Sequence, residues 1–158
     1  MGVLNVTPDS FSDGGKHHSL DRALTACGKM IDEGASIIDV GGESTKPGSS
    51  PVEASIQIDR VIPVIQSIKK NFDTVISVDT GDPVVMREAI KGGAEIVNDV
   101  YALKNPGTMD LVSGEDNAIC LMHMKGMPSS MQENPAYDDF MNEIKSFLEE
   151  RIHNCLRA

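Results

Sequence analysis

The sequence predicts a parallel α/β fold, and three observations support that prediction. Short runs rich in Val and Ile recur along the 158 residues at spacings of roughly 20 to 40 residues. These runs are almost continuously apolar, which is typical of strands buried on both faces of a parallel sheet. Amphipathic segments with helical periodicity separate them. A single domain covering residues 1–158 accommodates all of these elements.

The predicted strands divide the chain into successive β/α units. Five are predicted, at residues 3–6, 36–40, 74–80, 95–100 and 118–124. Five successive β/α units fit either a doubly wound open sheet or part of an eight-stranded β/α barrel. No GxGxxG or GxxxxGK[ST] loop follows the first strand, and such a loop would favour the open sheet.

Helices are predicted between and after these strands, at residues 19–35, 53–71, 82–94 and 138–158, with a weaker one at 106–115. Ser19 is predicted to cap the first helix, and Gly34 is predicted to end it. Pro63 should bend the second helix, and Asp82 should cap the third. The apolar face of the last helix is predicted to comprise Phe140, Ile144, Phe147, Leu148 and Ile152.

A polar residue falls at or near the carboxyl end of each predicted strand: Asn5, Asp39, Asp79, Asn98 and His123. β/α barrels build their active sites at that rim, so this regularity favours the barrel. Any one of these residues could equally mark the point where a loop begins. Together they predict a polar site on one face of the sheet.

The composition narrows the class of partner. The formal net charge is -10, which disfavours nucleic acid or an anionic membrane as the main partner and favours small molecules. No apolar run approaches the ~20 residues that span a bilayer, and no secretory signal is apparent, so a cytoplasmic location is predicted. The cysteines, Cys27, Cys120 and Cys155, have no metal-ligand spacing and are interpreted as packing residues.

Two loops offer ligand chemistry. The segment 41–50, GGESTKPGSS, combines glycine backbone, hydroxyls and the cation of Lys46, which can bind a phosphate or diphosphate. An ordinary Gly/Ser-rich surface loop has the same composition. In the segment 121–128, LMHMKGMP, the thioether of Met122 can pack on a flat ring, although core filling explains it as well.

Asp79 and Asn98 have the chemistry to recognise a heterocycle. A carboxylate at the end of the third strand can accept paired N–H donors or stabilise a positive charge, and an amide can both donate and accept. Asn98 could instead satisfy neighbouring backbone groups. His123 shares no HxxH or HxxxH spacing with another histidine, so no histidine metal site is predicted. There is also no GxSxG nucleophile motif.

Five motifs, in order and spacing, resemble those of the dihydropteroate synthase family of pterin-binding barrel enzymes: MGVLNVTPDSFSDGG, IIDVGGESTKPGS, ISVDT, IVNDV and CLMHMKGMP. The resemblance covers nearly the whole chain. It implies a TIM (β/α)8-barrel fold, of which about the first five units lie in this chain. It also implies the condensation of 6-hydroxymethyl-7,8-dihydropterin diphosphate with 4-aminobenzoate, a step of folate biosynthesis that sulfonamides target.

The resemblance also implies residue roles. Catalytic roles would fall to Asp13, Lys46 and Asp79, and Asn5 would be the ligand for Mg2+ and the diphosphate. Asp79 and Asn98 would bind the pterin, Met122 would pack against its ring, and Thr45, Phe11 and Pro47 would contact substrate from two loops. The chemistry implied is cleavage of a C–O bond to give a pterin cation, which the aminobenzoate nitrogen attacks.

Two features depart from the family pattern. Lys46 stands where the family usually has Arg, which keeps the charge and loses bidentate geometry. The chain also carries only about five of eight units, so the first and fifth strands are expected to form open edges and these residues alone to be inactive or very weak. A homodimer is expected of the complete protein. The alternatives are a non-catalytic pterin or diphosphate binder formed by a half-barrel, and a related pterin-dependent methyltransferase.

Overall fold

The computed structural model describes residues 1–7, 15–43, 52–114, 116–128 and 130–158. Five strands form one parallel sheet in which neighbours in sequence are neighbours in space. They are β1 Gly2–Asn5, β2 Ile37–Gly41, β3 Val75–Asp79, β4 Ile96–Asp99 and β5 Ala118–Leu121. The predicted strands are confirmed to within one residue at each end, except that β5 ends at Leu121 and not at residue 124.

Five helices follow the strands in alternation: α1 Gly15–Asp32, α2 Ala54–Asn71, α3 Pro83–Gly92, α4 Thr108–Val112 and α5 Phe140–Arg157. The prediction that Ser19 caps the first helix is wrong, because α1 begins four residues earlier. Residues 16–18 are all compatible with a helix, so nothing in the sequence stops α1 from extending past Ser19. α2 continues through Pro63 to its predicted end at Asn71.

Two predicted helix boundaries are confirmed by their hydrogen bonds. Gly34 takes a φ of 99° after α1, and the next amide, that of Ala35, donates to Met30 O at 2.9 Å. The Asp82 carboxylate accepts from the amides of Val84 and Val85, at 2.8 and 3.2 Å, and so caps α3. In the described parts of the chain, no helix has the length and apolar character that crossing a membrane requires.

The hydrophobic core lies between one face of the sheet and the helices. Alternate strand residues face it, among them Leu4, Val40, Ile76, Val78 and Val97, all buried. From the helices, α1 contributes Ala23 and Cys27, α2 contributes Val61, Ile65 and Ile68, and α3 contributes Met86 and Ala89. The other strand residues face away from this core, and that second face carries the polar strand side chains other than Asp99, which follows Val97 by two residues and faces the helix side.

The expectation that all five strands are buried on both faces is wrong for the two edge strands. In β1, Val3 is 59% exposed, and in β5, Ala118 and Cys120 are exposed. β1 and β5 each have only one neighbouring strand in the sheet, as expected for open edges. The interpretation of the cysteines as packing residues therefore holds for Cys27, which is buried, and is wrong for Cys120.

The predicted apolar face of α5 is only partly correct. Phe140 is 54% exposed and Ile152 is 48% exposed, whereas Ile144, Phe147 and Leu148 are partly buried. Positions 144, 148, 151 and 155 form a helical stripe that faces the rest of the chain. Phe140 precedes Ile144 on this stripe as the first residue of α5, and Ile152 lies at the edge of the stripe. The one residue of α5 that is buried is the cation Arg151.

Candidate functional site

Three of the predicted site residues lie in one row across the sheet. The strand register pairs Asn5 with Gly41, Gly41 with Asp79, and Asp79 with Asn98. Paired residues of parallel neighbours project from the same face of a sheet, so these side chains share the face that does not contact the helices. We call Asn5, Gly41, Asp79 and Asn98 the polar row.

Gly41 leaves a space within the polar row. A Cβ placed on it would lie 3.4 Å from Asn5 Oδ1 and 3.5 Å from Asp79 Oδ2. The amide of β1 and the carboxylate of β3 therefore approach the same point from opposite sides, and no side chain separates them. This arrangement leaves both oxygens available to a ligand group that enters over Gly41.

Asp39 supports Asn98 through a hydrogen bond between their side chains. Asp39 lies two residues before Gly41 and faces the same side, and its Oδ2 accepts a hydrogen bond of 3.1 Å from Asn98 Nδ2. The bond fixes the Asn98 amide so that its oxygen is left to accept from a ligand. Asp39 is 4% exposed, and its Oδ1 has no partner within the described residues. The buried hydroxyl of Ser77, its register partner in β3, is also unpaired there.

Asp79 differs electrostatically from an ordinary surface carboxylate. It is half-buried, and its side chain accepts no hydrogen bond from any residue in the described ranges. Burial is the main cause that raises the pKa of Asp79, with the negative charge of three nearby carboxylates adding to it, to about 7. Those carboxylates belong to Asp39, Asp99 and Glu43. Asp79 is therefore poised to ionise near neutral pH, and donors from a ligand would favour its charged form.

Glu43 links the two sides of the segment 44–51, which lies between β2 and α2. Its carboxylate accepts from the amide of Val52 at 3.0 Å and from Gln57 Nε2 at 3.2 Å. Gln57 is buried and also donates to Val52 O at 2.9 Å. The Gln57 carbonyl oxygen accepts from Thr80 Oγ1 at 3.2 Å, directly after Asp79. These bonds connect both ends of the segment 44–51 to the end of β3.

The other predicted site residues have different outcomes. Met122 is half-buried and lies directly after the end of β5. His123 does not join the polar row, because the β5 position in register with Asn98 is Cys120. The centre of the His123 ring instead lies 5.0 Å from that of Phe147 and 5.9 Å from that of Tyr137. The remaining predicted residues lie outside the described ranges: Phe11, Asp13, Thr45, Lys46 and Pro47.

The described residues offer few ligands for a metal ion. No cluster of three or more His, Cys, Asp or Glu side chains that could hold one occurs among the described residues. Asn5 offers an exposed amide oxygen at the end of β1. Mg2+ commonly keeps several waters and takes only one or two protein oxygens together with phosphate oxygens, so a single amide oxygen fits a metal that arrives with a diphosphate.

Sequence reasoning missed three residues of this region. The sequence predicts Asp39 only as one of the strand-end residues and indicates no role for it, although a lone carboxylate inside the apolar run IIDVG is the signal of a buried functional group. Glu43 and Arg151 gave no comparable signal. Their partners, Gln57 and the carbonyls of residues 102 and 103, lie 14 to 49 positions away in the sequence.

Comparison with known proteins agrees with this geometry. The chain is 49% identical over 158 residues to the dihydropteroate synthase of Escherichia coli K12, covering 100% of this chain and 56% of that protein. The solved structure of the Yersinia pestis dihydropteroate synthase with a sulfonamide drug matches with a TM-score of 0.91 at 44% identity, over 99% of this chain and 57% of that one. The Xanthomonas albilineans enzyme with 4-aminobenzoic acid matches with a TM-score of 0.86 at 43% identity, over 98% and 54%.

The chain thus spans a little over half the length of these relatives. Its five β/α units align with part of their barrels, which confirms the predicted α/β barrel class. The family model described as pterin binding enzyme matches residues 1–158. The chain therefore belongs to the pterin binding enzyme family.

Proposed function

We propose that this protein is a dihydropteroate synthase, which joins 6-hydroxymethyl-7,8-dihydropterin diphosphate to 4-aminobenzoate and releases diphosphate. The observation that carries the proposal is the polar row on one face of the sheet. In order, it presents the Asn5 amide, the space over Gly41, the Asp79 carboxylate with its raised pKa, and the Asn98 amide, whose orientation is fixed. The similarity to proteins named dihydropteroate synthase supports the same activity.

Asp79 and Asn98 are proposed to bind the pterin. A pterin presents N–H donors and ring acceptors along one edge. The Asp79 carboxylate, which accepts no hydrogen bond from the part of the chain that the structure describes, lies next to an amide and matches that mixture. The orientation of Asn98 is fixed by Asp39, so its oxygen is preset to accept from the ring. Met122, after the end of β5, is proposed to pack against the ring.

The reaction exchanges one bond for another. The aminobenzoate nitrogen forms a C–N bond with the methylene carbon of the pterin, the C–O bond to diphosphate breaks, and the nitrogen loses a proton. Positive charge develops on the pterin as the C–O bond breaks. The Asp79 carboxylate is proposed to stabilise that charge, and its ionised form is the one that does so.

Asn5 is proposed to hold Mg2+ at the end of the polar row where the diphosphate would lie. The bound ion supplies charge neutralisation for the departing diphosphate. Phe11, Asp13, Thr45, Lys46 and Pro47 are proposed to contact the substrates from the two loops. Lys46 would contribute a positive charge to the diphosphate and would do so as a point charge.

The test is the formation of 7,8-dihydropteroate by the complete gene product supplied with both substrates and Mg2+. Product and an equal amount of diphosphate are expected, and Asp79→Asn should lower kcat/KM by about a hundredfold or more. Asp73→Asn is the matched control, because Asp73 is exposed and lies before β3. Binding of the pterin diphosphate without product would instead identify a non-catalytic binder. The cytoplasmic location and the homodimer stay predictions.

A further inference from the structure

The turn after β4 has an unusual backbone. Ala102 and Leu103 are consecutive non-glycine residues with φ of 54° and 55°, in the left-handed region that residues with a Cβ disfavour. Both side chains are buried. A turn of this kind persists only where its surroundings fix it. The neighbouring contacts therefore decide the conformation of residues 100–103.

Two buried charged side chains hold this turn from its two sides. The Asp99 carboxylate accepts from the amides of Tyr101 and Leu103, each at 2.8 Å. Arg151, from α5, donates through Nε to Ala102 O at 2.7 Å and through Nη2 to Leu103 O at 2.9 Å. The amide and the carbonyl of Leu103 are thus both bound by side chains. Burial raises the pKa of Asp99, and the two amide bonds and the positive charge of Arg151 oppose that rise.

The burial of Arg151 calls for an explanation. It is 8% exposed, and it is the only buried residue of α5. Taking a guanidinium out of water is unfavourable unless its hydrogen bonds and charge are compensated, and here two carbonyls and the Asp99 carboxylate provide that compensation. An aliphatic residue would fill the same position at lower cost. The fork geometry of Arg is suited to grip two successive carbonyls at once.

The turn at residues 100–103 also contacts the backbone that follows Asp79. The ring of Tyr101 packs over Gly81 so closely that a Cβ on Gly81 would lie 2.8 Å from Tyr101 Cε2. Asn105, beyond the turn, donates through Nδ2 to Gly81 O at 2.9 Å. Between Asp79 and Gly81, the Thr80 amide donates to Asn98 O at 3.1 Å. The position of the turn therefore determines where the end of β3 lies relative to β4.

We propose that Arg151 is a positioning residue that fixes the turn after β4 and thereby the spacing of Asp79 and Asn98. This inference rests on the proposed function, since it assigns that spacing to pterin binding. Arg151 itself lies on a different element from the polar row, and its hydrogen bonds go to Ala102 O and Leu103 O. Its effect passes through Ala102, Leu103 and the contacts of the turn with Gly81.

The experiment compares Arg151→Gln, Arg151→Lys and Leu148→Ala in the complete gene product. Leu148 is a partly buried residue on the same stripe of α5, so its truncation lowers stability without removing a bond to the turn. Two quantities are measured: the hydrogen exchange rates of the Tyr101 and Leu103 amides, and the Kd of the pterin diphosphate by calorimetry. Arg151→Gln should speed both exchange rates and raise Kd about fivefold or more. For Arg151→Lys, the exchange rates and the Kd should lie between those of Arg151→Gln and those of the wild type.

Three outcomes would overturn the inference. Unchanged exchange at Tyr101 and Leu103 in Arg151→Gln would show that Arg151 does not hold the turn. Faster exchange with an unchanged Kd would show that Arg151 is a purely structural residue. The same conclusion would follow if Leu148→Ala, at a matched melting temperature, raised the Kd as much as Arg151→Gln does. Failure of the wild type to form dihydropteroate would overturn the proposed enzyme and not the inference, because exchange and pterin Kd are measured without turnover.

Discussion

Asn5 and Asp79 face each other across Gly41, and a single methyl group on that glycine would contact both of their oxygens, at 3.4 and 3.5 Å. The two residues are 74 positions apart in sequence, and the register of three parallel strands brings them together. A ligand can therefore lie against both oxygens only while position 41 has no side chain.

Gly41→Ala should fill that space and weaken binding without unfolding the chain. The contacts the methyl group would make are at ordinary to slightly tight distances, and strands accept alanine, so little change in the melting temperature is expected. The Kd of the pterin diphosphate should rise on the order of tenfold. Gly92→Ala, at the end of α3, is the control, because its added methyl group meets only aliphatic atoms at 3.5 Å and beyond. Equal affinity in both variants would show that the gap is not used.

Asp79→Asn should make the protein more stable at alkaline pH. A carboxyl whose pKa is raised to about 7 binds its proton more tightly in the folded chain than in the unfolded one, where its pKa is near 3.8. The free energy of unfolding therefore falls as pH rises from about 4 to 7, and Asn removes that loss. At about 1.4 kcal/mol per pKa unit, the variant should gain roughly 2 to 4 kcal/mol at pH 8 and little at pH 4.

Urea unfolding at pH 4, 6 and 8 measures this gain. Asp73→Asn is the control, because Asp73 is exposed. A gain for Asp79→Asn that does not depend on pH would contradict the electrostatic account. Together with the expected loss of activity, the result would make Asp79 a site where stability is lowered in favour of function.

Asn98→Ala should destabilise the fold through Asp39. The substitution removes the donor at 3.1 Å and leaves a buried carboxylate with neither oxygen paired among the described residues. A cost of roughly 1 to 3 kcal/mol is expected in urea unfolding. In an Asp39→Asn background the cost should shrink, since a neutral amide is easier to leave unpaired. Additive effects of the two substitutions would show that the bond contributes nothing.

Glu43→Gln should weaken the hydrogen bonds that link the two sides of the segment 44–51. Gln has one acceptor oxygen where Glu43 uses two, so either the Val52 amide or Gln57 Nε2 would face an NH2 group. A loss of about 1 kcal/mol in stability and faster hydrogen exchange of the Val52 amide are expected. Glu53→Gln is the control, because Glu53 is exposed and makes no side-chain cap bond with α2. Unchanged exchange at Val52 would remove Glu43 from this role.

Local sequence patterns predict most of this fold. The apolar runs and the helical periodicity are properties of consecutive residues, so the ends of β1 to β4 are predicted to within one residue. The pair Asp82-Pro83 likewise marks Asp82 as the N-cap of α3. The start of α1 is missed because no residue between 15 and 19 forbids a helix. β5 is overextended because Met122 and Met124 continue an apolar run whose hydrogen bonds stop at Leu121.

The site is predictable only where strand ends reveal it. Asn5, Asp79 and Asn98 can be identified from the sequence because each follows an apolar run, and the parallel register then brings them together. Two contacts depend on tertiary distances between residues 48 to 59 positions apart: the hydrogen bond of Asn98 to Asp39, and the hydrogen bonds of Arg151 to the turn. No local pattern encodes such distances, and Arg151 in an amphipathic helix is indistinguishable from a solvated cation.

The most direct test of the central claim, that the polar row binds a pterin, is calorimetric titration of the complete gene product with 6-hydroxymethyl-7,8-dihydropterin diphosphate at pH 8. The account predicts one site per chain, with a Kd raised at least about tenfold by Asp79→Ala and unchanged by Asp73→Ala. Equal affinity of the wild type and Asp79→Ala would contradict it.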